Sequence, residues 1–213
     1  MRAYVRSADK ARKVLGCSKC DESEGIYLGN VSNESALLRA AAGASAVAIA
    51  VGVSGLGPPG PVKGVEFTGV QNTVAALGTP ANIAAAGGLG GLRVVLCSSM
   101  GTTTPDTSKD AILFWKLNAE AFVGASGMPF AIVKPCGLLE TPGNQSHLLT
   151  GKDDSLLAIS PPIVSRTDVA AVMAAALARP GEPRLRFDLC SKAGEPQRDL
   201  QKLLDETEYP WQQ

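Results

Sequence analysis

The sequence has few aromatic side chains, a single histidine and no excess of charge of either sign. Aromatic residues make up 5% of the 213 positions, and 20 basic residues balance 20 acidic ones. A balanced charge excludes the basic footprint of a nucleic-acid-binding protein and indicates no attraction to anionic membranes. Because His147 is the only histidine, a histidine-rich metal centre is excluded as well.

A long hydrophobic run is also missing. The most apolar stretch, from Ala40 to Gly55, is interrupted by glycine and serine and is shorter than the ~20 residues that a transmembrane helix needs. The remaining composition, 45% apolar and 19% charged, is typical of a folded globular domain. The length predicts one well-buried domain spanning residues 1–213.

The five cysteines do not resemble the framework of a disulfide-rich secreted domain. No pattern typical of a secretory leader accompanies them, so we expect reduced thiols. Cys17 and Cys20 form the one suggestive pair. A zinc ion would need two further ligands, and a redox-active pair normally opens a helix after a strand, whereas this pair lies in a polar loop. We therefore predict no functional role for it.

Short apolar runs alternate with amphipathic segments along the chain. This alternation predicts an α/β fold in which a doubly wound parallel sheet is covered by helices on both faces. The predicted strands are 3–5, 26–28, 46–51, 93–97, 130–133 and 186–190, and the predicted helices are 9–15, 34–42, 65–77, 111–125, 166–178 and 195–206.

Several short motifs occur in a characteristic order along nearly the whole chain. They include residues 4–7, 29–31, 98–102, 112–120, 149–154, 165–170 and 187–189. Together they resemble the atypical short-chain dehydrogenases/reductases, in particular the NmrA-like NAD(P)-binding proteins of plants and algae. The resemblance implies a Rossmann-like fold, NADP(H) as cofactor and, because many relatives are plastid proteins, a chloroplast location.

The resemblance implies catalytic roles for Ser99 and Lys116. In the family, a serine at the end of the fourth strand orients the substrate carbonyl, and a lysine on the next helix holds the nicotinamide ribose and assists a tyrosine one turn earlier. Here that position is Ile112, whose side chain cannot transfer a proton. A purely structural alternative pairs Lys116 with Glu120 on the same helix face.

The same resemblance implies a set of cofactor contacts. Arg6 and Ser7 follow the first strand, where an arginine accommodates the 2′-phosphate of NADP, although Arg6 is equally explained as a solvated strand-end residue. Asn30 stands beside the adenine, with an Asx-type turn as the alternative. The implied contacts are Arg6, Ser7, Asn30, Val31, Gly52, Lys116, Pro135 and Cys136.

The chain departs from the family at its start. Family members begin with a strand and a glycine-rich loop whose backbone binds the pyrophosphate. We therefore expect either that the protein is longer or that this unit has been lost. Loss of the strand would leave an open sheet edge, which we expect a partner assembly to cover. The letters from Gly55 to Gly60 match a phosphate loop, but Pro58 and Pro59 lack N–H groups.

Three functions are compatible with these patterns. The sequence favours a non-catalytic accessory or scaffold subunit of a larger, photosynthetic assembly. This hypothesis explains both the missing tyrosine and the missing glycine-rich loop. The alternatives are an NADPH-dependent oxidoreductase and a regulator that senses NADP(H) without turnover. The substrate is not indicated by any motif.

Overall fold

Strands and helices alternate from the first residues onward. The computed structural model describes residues 1–53, 62–106 and 111–208, so the motif from Gly55 to Gly60 lies outside the described residues. The strands are β1 Ala3–Val5, β2 Ile26–Leu28, β3 Ala46–Ile49, β4 Arg93–Cys97, β5 Phe130–Pro135, β6 Gly137–Leu139, β7 His147–Gly151, β8 Ile163–Ser165 and β9 Arg184–Lys192. The α-helices are α1 Ala8–Leu15, α2 Glu34–Ala41, α3 Gly69–Leu77, α4 Pro80–Ala85, α5 Ala111–Ala125, α6 Arg166–Ala178 and α7 Leu200–Asp205.

The main sheet is mostly parallel. Its strands lie in the order β3-β4-β5-β9-β8-β6, and β7 pairs antiparallel with β9. The predicted parallel α/β fold is therefore confirmed, although the sheet differs in detail from the prediction. The single contact of β8 with β9 is also antiparallel, and β6, β7 and β8 were not predicted. These three strands are short and lie in a stretch without clear alternation, for which the sequence predicts a loop.

Helices cover both faces of this sheet, as the sequence predicts for a doubly wound fold. Successive strand residues point to opposite faces, so Val94 packs in the core beneath α3 and α5, whereas Val95 packs in the core beneath α6. Both side chains are fully buried. Strands buried on both faces read as continuous apolar runs, which is why β4 was recognisable from its sequence.

The helix ends follow ordinary capping chemistry. Asn33 accepts a hydrogen bond from the backbone of Ala36, and Ser165 accepts one from the backbone of Asp168, at the starts of α2 and α6. The last helix begins at Leu200 rather than at the predicted Glu195. Asp199 caps it there, accepting a hydrogen bond from the backbone N–H of Lys202.

The strands β1 and β2 form a separate two-stranded parallel sheet. Between β1 and β3 runs a groove of about 730 Å³, lined mainly by small side chains such as Ala46 and Ala48 together with Tyr4 of β1. Within the described ranges, β1 pairs only with β2, and β3 pairs only with β4. Each therefore presents an unpaired strand edge to this groove.

The cysteines differ from the sequence prediction. Cys17 is bonded to Cys20 and Cys136 to Cys190, with Cα–Cα separations of 5.1 and 5.2 Å, and Cys97 is free. The expectation of reduced thiols throughout is thus wrong for this structure. Both separations fall within the range that a disulfide can bridge. The second pair joins β9 to the end of β5, a proximity that only tertiary folding creates.

Candidate cofactor-binding site

The carboxyl ends of β1, β2 and β3 meet at one cavity. Open parallel sheets bind ligands in the crevice outside these strand ends, because loops diverge there and leave space. The cavity measures about 580 Å³, and we call it the Arg6 cavity. Its walls are Tyr4, Val5, Arg6, Ser7, Lys10, Ala11, Val14, Leu15, Gly29, Asn30, Val31, Ala50, Val51, Gly52 and Val65.

Five of the residues that the sequence singled out for the cofactor lie on this cavity: Arg6, Ser7, Asn30, Val31 and Gly52. They come from three separate loops, so the structure brings them together from distant parts of the chain. Lys116, Pro135 and Cys136, which were predicted for the same cofactor, do not line it.

One wall of the Arg6 cavity is basic. Arg6 and Lys10 are both exposed on its wall, and no ion pair of Arg6 is seen among the residues that the structure describes. Ser7 caps α1 by accepting a hydrogen bond of 3.3 Å from the backbone N–H of Lys10. The positive end of this helix and two cations therefore face the same space, an arrangement suited to a phosphate group.

The opposite wall is fixed by short polar contacts. Asn30 accepts hydrogen bonds from the backbone and the hydroxyl of Ser32, so its side chain forms the Asx-type turn that the sequence left as an alternative. Its carbonyl accepts a bond of 2.8 Å from the hydroxyl of Tyr4. Burial raises the pKa of Tyr4, which keeps this hydroxyl protonated and donating.

Val31 joins the Arg6 cavity to the helix beneath it. Its side chain is buried against Gly69, where an added Cβ would stand 2.4 Å from a methyl group of Val31. Its carbonyl accepts a hydrogen bond of 3.0 Å from the amide of Asn72. The start of α3 thus holds this wall in place.

A second cleft adjoins the cavity and is lined by Lys116, but it is packed so tightly that it has no free volume for a water molecule. The two spaces share Val51, and the cleft is further lined by Glu66, Val70, Leu96, Cys97, Ser98 and Ala119. The ammonium of Lys116 lies 2.8 Å from the carboxylate of Glu66, and their side chains are 15% and 2% exposed. The other oxygen of Glu66 accepts a bond of 2.8 Å from the backbone of Val53. This ion pair secures the segment that follows β3.

Ser98, rather than Ser99, shares the cleft with Lys116. The Ser98 hydroxyl donates a short hydrogen bond to Glu120, which is also paired with Arg186 at 2.8 Å. The hydroxyl of Ser99 donates instead to the carbonyl of Met100, at 3.0 Å. The alternative that paired Lys116 with Glu120 is therefore wrong in this structure, because each of these side chains finds a partner on another element.

The thiol of Cys97 also faces the Lys116 cleft. Burial raises the pKa of this thiol, and the positive charge of Lys116 only partly opposes the effect. Cys97 is thus a packed thiol rather than a ready nucleophile.

Pro135 and Cys136 lie in the core. Both are buried, and the carbonyl of Pro135 accepts a hydrogen bond of 3.1 Å from the backbone of Met100. Cys136 is bonded to Cys190, so it offers no thiol to a cleft. Ile112 lies one turn before Lys116 on α5 and is half-buried. Its position contributes no proton donor.

Lys134, which is fully buried, holds the loop after β4 in place through hydrogen bonds and ion pairs. The ammonium of Lys134 lies 2.5 Å from Asp154 and 3.4 Å from Asp188, and it donates a 3.0 Å bond to Thr103. Asp154 also accepts bonds from the backbone of Gly101 and Thr103. Burial raises the pKa of Asp154, but these hydrogen bonds, led by that from Lys134, outweigh it, so the pKa lies below its usual value.

Sequence reasoning missed Glu66, Ser98 and this lysine network. The burial of Glu66 leaves no local signal in the sequence, and the π-helical segment Gly64–Thr68 that carries it was predicted as part of an ordinary α-helix. The neighbours Ser98 and Ser99 differ only in which face of the strand end they occupy, and that depends on the pairing of β4.

The fold agrees with what a comparison with known proteins finds. A family model described as NAD(P)H-binding matches residues 1–180. The chain belongs to this NAD(P)H-binding family, and the Rossmann-like fold predicted from the resemblance is confirmed.

Two curated plant proteins are similar in sequence. A chloroplastic, uncharacterized protein of Arabidopsis thaliana is 31% identical over 218 residues, covering 95% of this chain and 65% of the relative. Sanguinarine reductase of Eschscholzia californica is 34% identical over 131 residues, covering 58% of this chain and 48% of the enzyme. The chain thus spans between about half and two thirds of the length of these relatives.

Solved structures share the fold at low sequence identity. A Bacillus halodurans protein assigned to the NAD-dependent epimerases/dehydratases superposes with a TM-score of 0.73 and 19% identity, over 96% of this chain and 86% of that one. A short-chain dehydrogenase/reductase from Veillonella parvula, in complex with NADP, superposes with a TM-score of 0.59 and 16% sequence identity. The superposition covers 91% of this chain and 83% of that one. None of the helices within the described ranges is long and apolar enough to cross a membrane.

Proposed function

We propose that this protein binds NADP(H) in the Arg6 cavity and acts as an NADPH-dependent reductase. The observation that carries the proposal is the convergence of Arg6, Ser7, Asn30, Val31 and Gly52 on one cavity of about 580 Å³. The exposed cations Arg6 and Lys10 and the start of α1 fit the 2′-phosphate and ribose of the adenosine half. When bound, the reduced nicotinamide would supply a hydride to the substrate.

The reductase assignment also rests on the cleft beside the cavity. Lys116 and Ser98 lie there, at the carboxyl end of β4, and Val51 is common to both spaces. This cleft has no free volume for a ligand in the present structure, so a nicotinamide that extends past Val51 would reach Lys116 only if the side chains there moved apart. Lys116 would then hold hydroxyl groups of the cofactor while Glu66 keeps its ammonium in place. The similarity to sanguinarine reductase supports the same activity class.

Binding of NADPH tests the first half of the proposal. We expect Arg6→Ala to weaken NADPH binding about 10- to 100-fold, because a charge-assisted hydrogen bond contributes about 1.5–3 kcal/mol. NADH binding should change little, since it lacks the 2′-phosphate. The measurement is a fluorescence titration of each cofactor against wild type and variant.

Arg12→Ala is the matched control for this titration. Arg12 lies on the same helix, pairs with Asp9 at 3.1 Å and does not line the cavity. It removes the same charge and should leave NADPH affinity within about twofold, because exposed charges away from the site act weakly. Equal losses in the two variants, or no NADPH binding at millimolar concentration, would refute the assignment.

A second candidate function is cofactor binding without turnover, in an accessory subunit. Two observations favour it: Ile112 occupies the position of the family's tyrosine, and the cleft at Lys116 has no free volume for a ligand. We further propose that an accessory role would use the groove between β1 and β3, with a strand of a partner protein pairing with the free edges. The chloroplastic Arabidopsis relative makes the chloroplast the proposed location.

Turnover separates the two candidates. Sanguinarine, the compound for which one relative is named, is a reasonable first hydride acceptor, and loss of NADPH absorbance reports its reduction. Oxidation of NADPH that depends on the acceptor would support the reductase. Tight NADPH binding without oxidation, for this acceptor and a panel of quinones and aldehydes, would support the accessory role.

A further inference from the structure

We propose that Cys17 and Cys20 form a redox-active pair that exchanges with dithiols and that its state controls α1, the helix on the wall of the Arg6 cavity. The pair closes the polar loop between α1 and β2, with a Cα–Cα separation of 5.1 Å. The link to cofactor binding rests on the function proposed above, whereas the exchange reaction does not.

The two sulfurs differ in accessibility. Cys17 is half-buried, whereas Cys20 is 1% exposed and packs with Ala11 and Ile26 in a small apolar cluster. An incoming thiolate can therefore reach the sulfur of Cys17 but not that of Cys20. This asymmetry defines an attacked sulfur and a leaving sulfur, as thiol–disulfide exchange requires.

The backbone of this loop is held by hydrogen bonds that do not depend on the sulfur–sulfur bond. The carboxylate of Glu24 accepts backbone hydrogen bonds from Ser18, Lys19 and Cys20, at 3.2, 2.9 and 2.7 Å. These bonds hold the pKa of Glu24 below its usual value, with the bond from Cys20 as the largest cause, so the carboxylate stays charged near neutral pH. The two thiols would remain close after reduction, which makes reoxidation readily reversible.

The exchange is a two-electron reaction with a dithiol as the reductant. One reductant thiolate attacks Cys17, a mixed disulfide forms, and the sulfur of Cys20 leaves as a thiolate and takes up a proton. The second thiol of the reductant then attacks the mixed disulfide and releases Cys17. The protein gains two electrons and two protons, and the reductant ends as its own disulfide.

The pair is one residue away from the Arg6 cavity. Ala11 of α1 is 3% exposed, packs against Cys20 on one side and lines the cavity on the other. Two separate thiols need more space than a bonded pair, since the sulfurs must part to van der Waals distance. Because interiors are close-packed, Ala11 and the helix that carries it must adjust. We therefore expect reduction to displace the cavity wall and to weaken NADPH binding.

The other disulfide provides an internal control. Cys136 and Cys190 are 7% and 0% exposed and lie in the main core, out of reach of a reductant in the folded protein. Selective reduction of one pair in the native protein can thus be read from the sites of labelling.

The experiment treats the native protein with graded ratios of reduced to oxidised dithiothreitol, quenches the exchange with acid and removes the dithiothreitol. The protein is then unfolded, labelled with maleimide and analysed by peptide mass, so that every cysteine reduced in the native state is accessible to the label. We expect Cys17 and Cys20 to become labelled together while Cys136 and Cys190 remain protected. NADPH titration of the oxidised and reduced protein should show at least a threefold loss of affinity on reduction. In Cys17→Ser/Cys20→Ser, dithiothreitol should leave the affinity unchanged.

Each outcome is decisive. Resistance of Cys17 and Cys20 to dithiothreitol in the folded protein would overturn the exchange site. Labelling of the pair with an unchanged NADPH affinity would overturn its control of the cavity. Absence of NADPH binding in both states would refute the proposed function, and the labelling pattern would still decide whether the pair exchanges.

Discussion

Lys134 provides the sharpest test of how the core supports the site. Its side chain is fully buried, and its ammonium stands between the carboxylates of Asp154 and Asp188 and the hydroxyl of Thr103. Lys134→Met keeps an unbranched apolar stem of nearly the same length and removes the ammonium, with its charge and its hydrogen-bond donors. The variant therefore leaves two acidic groups without their cation in the protein interior.

The expected cost is about 3–5 kcal/mol of unfolding free energy, the range for removing one partner of a buried ion pair. Asp188 contributes most of it, since this residue is 0% exposed and neither carboxylate oxygen has a hydrogen-bond partner within the part of the chain that the structure describes. For a chain of this size the melting temperature should fall by roughly 6–20 °C. Lys192→Met, at an exposed position of β9, should change stability by less than about 0.5 kcal/mol.

The pH dependence follows from the same contacts. Because the folded-state pKa of Asp154 is depressed, its stabilisation is present above the unfolded pKa of about 3.9 and is lost as pH falls through the lower folded value. In the variant, Asp154 loses the hydrogen bond from Lys134 that lowers its pKa, while the burial that raises the pKa remains, so it takes up a proton at a higher pH than in the wild type. The stability difference between wild type and variant should therefore be largest near pH 7 and narrow towards pH 5.

Urea unfolding at pH 7 and pH 5 measures this difference. The reasoning would be refuted by a loss below about 1 kcal/mol at pH 7, or by a difference that widens at pH 5. Adding Asp188→Asn to the variant should recover part of the loss, because it removes one of the two unpaired charges.

Two further substitutions test the walls of the site and the capping of a core helix. Gly69→Ala would place a Cβ 2.4 Å from Val31, so thermal unfolding should show a loss of about 1–3 kcal/mol from overpacking, and NADPH binding should weaken as that wall moves. Ser165→Ala removes the cap that accepts a 2.9 Å bond from the backbone of Asp168; it should cost about 1 kcal/mol, against no measurable change for the exposed Ser35→Ala.

The sequence predicted most of the architecture because the relevant signals are local. Periodicity and capping placed α5 and α6 at their observed bounds, and a β-branched run identified β4. The short strands β6, β7 and β8 were missed. Each is held by pairing with a distant partner, such as β9, rather than by its own composition.

The candidate site also contains residues that the sequence could predict and residues that it could not. Arg6, Ser7, Asn30, Val31 and Gly52 each follow a predicted strand, and parallel strands end at one edge of a sheet, so their convergence on one cavity could be anticipated. Ser99 and Lys116 were expected to act together. The structure pairs Lys116 with Glu66 and brings Ser98 into the cleft instead.

Local patterns in the sequence were enough to predict the alternation of strands and helices, the parallel sheet and the loops that reach the cavity, since these depend on neighbours within one or two turns of chain. The pairing of charges, the bonding of cysteines and the strand edges that stay free were visible only in the folded protein. Those outcomes depend on how segments far apart in the chain approach one another, and a buried lysine such as Lys134 has no partner until its strand, a loop and β9 are packed together.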